Sequence, residues 1–293
     1  MKPEPRPSLL HPIPDATHLQ DWWPLRSALT NKYIRNEQVV SKRNRNKRNR
    51  NRTPVRAAPI AAASLPPGIR IRHATAADLP AVRELTASAG CPLVDELAGA
   101  VKAADAGSAL RAGVEGGGRD TFGYCMAEKL HGSPPPPPLA AAIAASLILV
   151  AERSSTDADG RDIGEVIGTL SAGPPSGVIK SCLDRYPHLP PNERDMIVMS
   201  GLIAVSKLYA IATVPSARGQ GVASALIRYY RDVYRRCGIR VLYGEMNAGS
   251  GLEPFYRRNG FEIVPPGAAL DLYFVFGHEI RVGAALVSRF SPV

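Results

Sequence analysis

The sequence predicts a mixed α/β (α+β) fold, and three observations support this prediction. Leu147 to Ala151 and Glu165 to Ser171 are strand-like and are separated by a polar stretch, which is typical of an antiparallel hairpin. Leu208 to Val214 has the pattern of a further strand, and a glycine-rich turn and an amphipathic helix follow it. Arg240 to Met246 then returns to a strand pattern. The chain therefore combines a hairpin with an alternation of strand and helix.

Charge divides the chain into two parts. The net charge is +10, but residues 1–66 carry 13 Lys and Arg against 4 Asp and Glu, whereas residues 67–293 carry 23 against 22. Lys42 to Arg52 reads KRNRNKRNRNR, a run whose like charges repel and which has no apolar side chain to bury. We therefore predict a disordered basic N-terminal extension over 1–66 and a folded domain over 67–293.

The basic run at 42–52 leaves two interpretations open. It is either a nuclear-import signal or RNA-contacting arm, or a solvated extension that has no specific partner. Because the rest of the chain is almost neutral, nucleic acid is expected to contact the protein only through this run.

Compartment is predicted from apolar segments and cysteines. No stretch approaches the roughly 20 apolar residues of a membrane span, and residues 1–23 lack the apolar core of a secretory signal. The four cysteines contain no CxxC pair, so neither a disulfide framework nor a zinc site is expected. We expect a cytoplasmic protein, with a nuclear one as the alternative, that has no membrane partner and no metal.

The folded domain is expected to begin near Ile69. Ile69 to Arg72 alternates like a strand, and Thr75 to Asp78 has the pattern of a helix start. Two segments, near 90–138 and 173–200, are predicted as loop insertions, the second with short helical possibilities. A closing strand is predicted over Leu270 to Phe276.

The turn between the strand and the amphipathic helix is rich in glycine. The helix is indicated by apolar residues that share one face, namely Val222, Ala225, Leu226, Tyr229, Val233 and Cys237. A helix start has unpaired N–H groups and the positive end of the helix dipole. Glycines at 219 and 221 leave room for an anion to reach those groups, so a pyrophosphate is the expected ligand.

Two other interpretations of the turn remain. It nearly matches a dinucleotide fingerprint that has Glu245 at the ribose position, but Ser224 replaces the third glycine and Pro215 to Arg218 separates the strand from the first. The other interpretation is a tight turn that binds nothing. A Walker loop is excluded, because no Gly-Lys-Ser/Thr follows.

Two motifs resemble the GNAT superfamily of acyl-CoA-dependent N-acetyltransferases. Arg218-Gly-Gln-Gly221-Val-Ala223 is similar to the signature Arg/Gln-x-x-Gly-x-Gly/Ala. Phe255-Tyr256-Arg-Arg-Asn-Gly260-Phe261 is similar to the second signature, an apolar residue and Tyr followed by Gly-Phe. The resemblance covers about residues 205–276 and extends less clearly over 69–172.

The resemblance implies a mixed, mostly antiparallel central sheet of six to seven strands with flanking helices and a splayed parallel strand pair. Acetyl-CoA, as co-substrate, would enter the splay between Leu208–Val214 and Arg240–Met246. The cofactor-binding residues that the resemblance implies are Ile211, Ala212, Thr213, Arg218, Gly219, Gln220, Gly221, Val222, Ala223, Ser224 and Asn247.

The resemblance also implies catalytic roles. Tyr256 would protonate the departing CoA thiolate. Some members of the family have a glutamate where this chain has Lys207, so Glu245, on the neighbouring strand, becomes the candidate base acting through water. Tyr209 is a further candidate, and a partly neutral amine would need no base.

The function that follows is N-acetyl transfer from acetyl-CoA to a primary amine of a small molecule or polypeptide by direct attack. Two alternatives stay open: a non-catalytic acyl-CoA-binding sensor, and an RNA- or ribosome-associated module targeted by the basic tail. The sequence does not indicate which amine is the acceptor.

Overall fold

The computed structural model describes residues 65, 67–93, 95–103, 105–131, 142–156, 162–247, 249–270, 272, 275, 280–281 and 285–289. All of them belong to one compact unit, Ala63–Val293. Apart from Leu65, the predicted extension 1–66 lies outside the described residues, and its disorder stays a prediction.

Strands and helices make up most of the described chain. The strands are β1 (Ile69–His73), β2 (Leu147–Thr156), β3 (Asp162–Gly173), β4 (Val205–Thr213), β5 (Val241–Glu245), β6 (Glu262–Val264), β7 (Ala269–Leu270), β8 (Ile280–Arg281) and β9 (Ala285–Arg289). The helices are α1 (Leu79–Ser88), α2 (Asp95–Lys102), α3 (Ser108–Gly116), α4 (Arg119–His131), α5 (Ser176–Arg185), α6 (Pro191–Ala204), α7 (Val222–Arg236) and α8 (Glu253–Arg258). Among the residues described, no helix is both long and apolar enough to cross a membrane.

Seven of the strands form one sheet, in the order β1-β2-β3-β4-β5-β9-β6. The β4–β5 pair is parallel, and every other neighbouring pair is antiparallel. This arrangement confirms the predicted mixed, mostly antiparallel sheet with flanking helices.

The parallel pair separates halfway along its length. Val205 to Leu208 of β4 pair with Val241 to Gly244 of β5, and no pairing with β5 continues beyond Leu208. Strand β4 nevertheless extends to Thr213, paired with β3 on its other edge. Within the part of the chain that the structure describes, the far half of β4 has one unpaired edge, which confirms the predicted splay.

The two faces of the sheet are covered by different helices. Alternate side chains of a strand point to opposite faces. Ile148 and Val150 of β2 pack in one apolar cluster with residues of α1 and α2, whereas Leu147 and Leu149 pack in another with residues of α7. The central helix α7 therefore lies on one face, and α1 and α2 lie on the other.

The predicted loop insertion near 90–138 is wrong as a loop, because three helices lie within 95–131. The short helical possibilities at 173–200 are confirmed by two helices within 176–204. The first group of helices was predicted as a loop because the segment contains several glycines. Gly113 lies inside α3, where a Cβ would come within 2.9 Å of both Phe122 and Cys237, so it serves close packing rather than a turn. Gly117 and Gly118, with φ of +111° and +88°, form the joint to α4.

Of the predicted closing strand, Leu270 is the second residue of β7, and residues 272 and 275 are not in a strand; its other residues lie outside the described ones. The last strand of the main sheet is instead β9, which lies between β5 and β6. Strand β9 pairs with both neighbours, so it completes the sheet beside the splay.

A buried ion-pair network ties β1 to the start of α1. Asp78 accepts hydrogen bonds from the Arg72 guanidinium at 2.6 and 2.8 Å and from the Thr75 backbone N–H at 2.6 Å. Arg72 also pairs with Glu152 of β2. Burial alone would raise the pKa of Asp78, but the bonds from Arg72 and Thr75 outweigh it and lower the pKa to about 2.

We predict that Asp78→Asn destabilises the domain by about 2 kcal/mol at pH 7, because a pKa lowered from 3.8 to about 2 corresponds to that energy. The contribution is present above the unfolded-state pKa of 3.8 and is lost as pH falls through about 2. Urea unfolding at pH 7 and at pH 2.5 measures it. An equal loss in the mutant at both pH values would contradict the assignment.

Candidate active site

The turn that precedes α7 is held by hydrogen bonds among its own residues. A short 3₁₀ turn over Pro215–Ala217 follows β4, and the Gln220 side chain donates to the Ser216 carbonyl at 2.7 Å. Gly219 and Gly221 have φ of +75° and +80°, which side-chain-bearing residues rarely adopt. These two positive φ values require glycine, and they turn the chain into the helix.

The first backbone N–H groups of α7 donate no hydrogen bond to another described residue. No side chain of the described residues caps the helix at Gly221, and the first helical hydrogen bond runs from Ala225 N–H to the Gly221 carbonyl at 2.9 Å. In the glycine turn and the first turn of α7, five backbone N–H groups bond to no other described residue, namely those of Gly219, Gly221, Val222, Ala223 and Ser224. Together with the helix dipole, they form a concentration of donors suited to an anion.

Open space lies next to the two glycines of the turn. A Cβ built on Gly219 or on Gly221 would meet no protein atom within 4 Å. The space beside the donors is therefore free for a ligand, and a diphosphate fits both the charge and the access. Arg218, exposed in the same turn, adds a positive charge.

The helix that carries these donors is firmly anchored. Val222 is buried, and it packs so closely on β3 that a Cβ at Gly168 would lie 3.0 Å from it. Further along α7, the Tyr230 hydroxyl donates to Ser206 of β4 at 3.3 Å, and the Tyr234 hydroxyl donates to the Ala145 carbonyl at 2.8 Å. These contacts fix the donors relative to the splay.

The free edge of β4 presents backbone groups to the splay. Val214 N–H donates to the Ile167 carbonyl of β3 at 3.0 Å. Since backbone groups of successive residues point to opposite edges of a strand, those of Ala212 also face β3, and those of Ile211 and Thr213 face the gap. Of the three predicted strand residues, Ile211 and Thr213 can therefore pair with an extended ligand through their backbone, and Ala212 cannot.

Tyr256 of α8 is buried with its ring held between aromatic neighbours. Its ring centroid lies 5.1 Å from that of Phe255 and 6.0 Å from that of Phe261. Its hydroxyl bonds to no other described residue. Burial raises the pKa of Tyr256 to about 12, and the nearby Cys91 thiol adds to the effect. The phenol therefore keeps its proton at neutral pH and has that proton available for donation.

The second motif also contains structural residues. Gly260 has a φ of +81°, and a Cβ there would lie 2.1 Å from the Arg231 guanidinium, which donates to the Asn259 carbonyl at 2.5 Å. Phe261 is buried, and its N–H donates to the Tyr256 carbonyl at 3.1 Å. Gly260 and Phe261 thus hold α8 against α7 and keep Tyr256 in place.

Glu245 forms a cross-strand ion pair with Lys207. Lys207 Nζ lies 3.0 Å from Glu245 Oε1, and 5.4 and 5.9 Å from the ring centroids of Tyr209 and Tyr243. The Glu245 side chain is 54% exposed, so its carboxylate also contacts water. The lysine at the position of the family glutamate is thus neutralised by the candidate base itself.

Asn247 is exposed just beyond β5. Its carbonyl accepts the Ser250 N–H at 3.2 Å, in a turn where Gly249 and Gly251 both have a φ of +75°. The turn directs the chain toward α8. A contact between the Asn247 side chain and the cofactor stays a prediction.

The site contains a cavity that the sequence did not predict. It has a volume of about 170 Å³ and is lined by Cys91, Pro92, Leu93, Leu97, Ser171 and Tyr209; we call it the α1–α2 cavity. The sequence predicted a loop at 90–138, so it did not predict this wall of the cavity. The four-residue spacing of Leu93, just before α2, and Leu97, within α2, was the pattern that could have indicated it.

Comparison with protein families finds a match for part of the chain. Residues 145–263 match the family model of the acetyltransferase (GNAT) domain. The matched segment runs from the start of β2 to β6 and includes the head of α7, the splay and Tyr256. A comparison with curated proteins finds no match.

Solved structures of acetyltransferases are similar to the chain at low identity. Ribosomal-protein-alanine N-acetyltransferase from Brucella melitensis is 19% identical, with a TM-score of 0.38, over 75% of this chain and 99% of that one. Ribosomal-protein-S18-alanine N-acetyltransferase from Escherichia coli is 12% identical, with a TM-score of 0.37, over 77% and 96%. PaiA N-acetyltransferase from Thermoplasma acidophilum, in complex with coenzyme A, is 13% identical, with a TM-score of 0.34, over 76% and 99%.

Proposed function

We propose that the protein is an acyltransferase that transfers an acetyl group from acetyl-CoA to a primary amine, because residues 145–263 match the family model of the acetyltransferase (GNAT) domain. The amine belongs to a small molecule or to a polypeptide. Transfer is by direct attack, without a covalent enzyme intermediate.

The proposal rests on one observation: the unpaired N–H groups at the head of α7 lie next to the free edge of β4. The N–H groups from Gly219 to Ser224 suit the diphosphate of CoA. The backbone groups of Ile211 and Thr213 suit the amides of its pantetheine arm, which would add to β4 as a short strand. The two features lie at opposite ends of the short connection 214–218, so a single extended ligand reaches both.

The reaction needs one bond made and one broken. The neutral amine attacks the thioester carbonyl, a C–N bond forms, and the C–S bond breaks as CoA leaves. The amine nitrogen loses a proton, and the thiolate gains one. Tyr256 is the proposed donor to the thiolate, since its hydroxyl is protonated at neutral pH and bonds to no other described residue.

The function is tested by mixing the protein with acetyl-CoA and a panel of primary amines. We expect CoA thiol to be released only when an amine is present, and mass spectrometry to show the acetylated amine. Binding of acetyl-CoA without thiol release from any amine would instead indicate the non-catalytic sensor. Absence of binding would contradict the proposal as a whole.

Glu245 is the proposed acceptor of the amine proton, through water. We expect Glu245→Gln to lower kcat/KM about tenfold at pH 7, with the loss shrinking as pH rises and the amine deprotonates by itself. A pH–rate profile measures this. Glu165→Gln is the matched control, because Glu165 is also an exposed strand carboxylate paired with a basic side chain, Arg153 at 3.5 Å. A loss of equal size at every pH would argue against a base.

A further inference from the structure

The α1–α2 cavity has a rigid wall beside the proposed site of chemistry. Cys91 N–H donates to the Thr86 carbonyl at 3.0 Å, and Leu93 N–H donates to the Thr86 hydroxyl at 3.2 Å. Thr86 is itself fully buried in α1. Cys91 and Leu93 are therefore held to α1 by hydrogen bonds.

The cavity lies close to the group that would protonate CoA. Cys91 lines the cavity and is near enough to Tyr256 to raise its pKa, and Tyr209 comes from β4 at the end of its paired half. The cavity therefore lies near both β4 and Tyr256. This is where an acceptor has to approach the thioester.

None of the described residues that line the cavity is charged. The Tyr209 hydroxyl donates to the Pro174 carbonyl at 2.6 Å, so the tyrosine presents its ring rather than a free polar group. Beside it, Lys207 and Glu245 neutralise each other at 3.0 Å. A second positive charge on the acceptor would thus lose its hydration without gaining a partner.

The size of the cavity limits what it can hold. A cavity of about 150 Å³ lined by apolar side chains accepts benzene, and this one has about 170 Å³. Ser171, almost fully buried in the wall, has a hydroxyl that bonds to no other described residue. An apolar group the size of one benzene ring fits, with one hydroxyl available to orient the amine next to it.

We infer that the α1–α2 cavity selects the acceptor, and that the acceptor is a primary amine bearing a single apolar group no larger than about a benzene ring. Polyamines and other multiply charged amines are excluded by the same wall. The inference rests on the proposed acetyl transfer and names the substrate class of that site.

The test compares acceptors with the whole protein and acetyl-CoA. Benzylamine, ethylamine and spermidine are assayed by CoA release, together with a short peptide whose first residue is phenylalanine. We expect kcat/KM for benzylamine to exceed that for ethylamine by about tenfold to a hundredfold, and spermidine to be no better than ethylamine. If the peptide exceeds benzylamine, the apolar group is supplied by a polypeptide N-terminus; the reverse points to a free amine.

A variant tests the cavity itself. Cys91 is exposed at its rim, so Cys91→Phe should fold and should fill the space. We expect the preference for benzylamine over ethylamine to fall at least tenfold. Ala87→Phe, at an exposed position of α1 that does not line the cavity, is the control and should keep the preference.

Two outcomes would overturn the inference, and they differ in what they imply. Turnover of spermidine at least as fast as benzylamine, or an unchanged preference in Cys91→Phe, removes the apolar acceptor and leaves acetyl transfer standing. CoA release with none of the amines, together with no binding of acetyl-CoA, removes both.

Discussion

Tyr256→Phe is expected to lower kcat about a hundredfold and to leave the affinity for acetyl-CoA unchanged. The phenol hydroxyl is the only atom removed, and general acid catalysis typically contributes a factor of about 10² to 10⁴. The ring contacts with Phe255 and Phe261 survive the change, so the fold and the position of α8 should persist.

The pH dependence of kcat in the unmodified protein gives a second readout of the role of Tyr256. The pKa of Tyr256 is raised to about 12, so the hydroxyl should hold its proton throughout the range in which the protein is assayed. We therefore expect no alkaline loss of kcat from this residue below about pH 10. Steady-state kinetics with calorimetric titration of acetyl-CoA measures both quantities, and unchanged turnover in Tyr256→Phe would remove the residue from the mechanism.

Gly221→Ala is expected to weaken acetyl-CoA binding about a hundredfold. A Cβ at this position would meet no protein atom within 4 Å, so it would project into the space that the diphosphate is proposed to occupy. Losing about two charge-assisted N–H bonds to phosphate, each worth about 1.5–3 kcal/mol, accounts for an effect of that size.

The matched control for this variant is Gly267→Ala. Gly267 has a φ of +77°, against +80° for Gly221, and its Cβ would also enter open space. Both variants should lose a similar 1–2 kcal/mol of folding stability from the left-handed backbone. Only Gly221→Ala should lose affinity. If the two variants bind acetyl-CoA equally well, the space beside Gly221 is not a ligand site.

The sequence was most informative where one local pattern specifies one geometry. Helix α7 begins at Val222 as predicted, because its apolar face has helical spacing and Gly221 adopts the backbone that starts it. The β2–β3 hairpin was predicted for the same reason, since its apolar residues and its polar connection are contiguous in the chain. The glycine turn and the tyrosine motif were likewise readable as short patterns.

Features that depend on distant contacts were not readable. Gly113 looks like a helix breaker until Phe122 and Cys237 are seen against it, and so α3 and its neighbours were assigned to a loop. The insertion of β9 between β5 and β6 depends on pairing across the sheet. Likewise, the pairing of Glu245 with Lys207 appears only when their strands lie side by side. These contacts decide the acceptor side of the site.

A crystal structure of the complex with CoA would show whether the N–H groups at the head of α7 bind the diphosphate of coenzyme A. We expect phosphate oxygens at about 3 Å from backbone nitrogens between Gly219 and Ser224, with the pantetheine arm along Ile211 and Thr213. Coenzyme A bound elsewhere on the domain, with these N–H groups facing only solvent, would contradict this expectation.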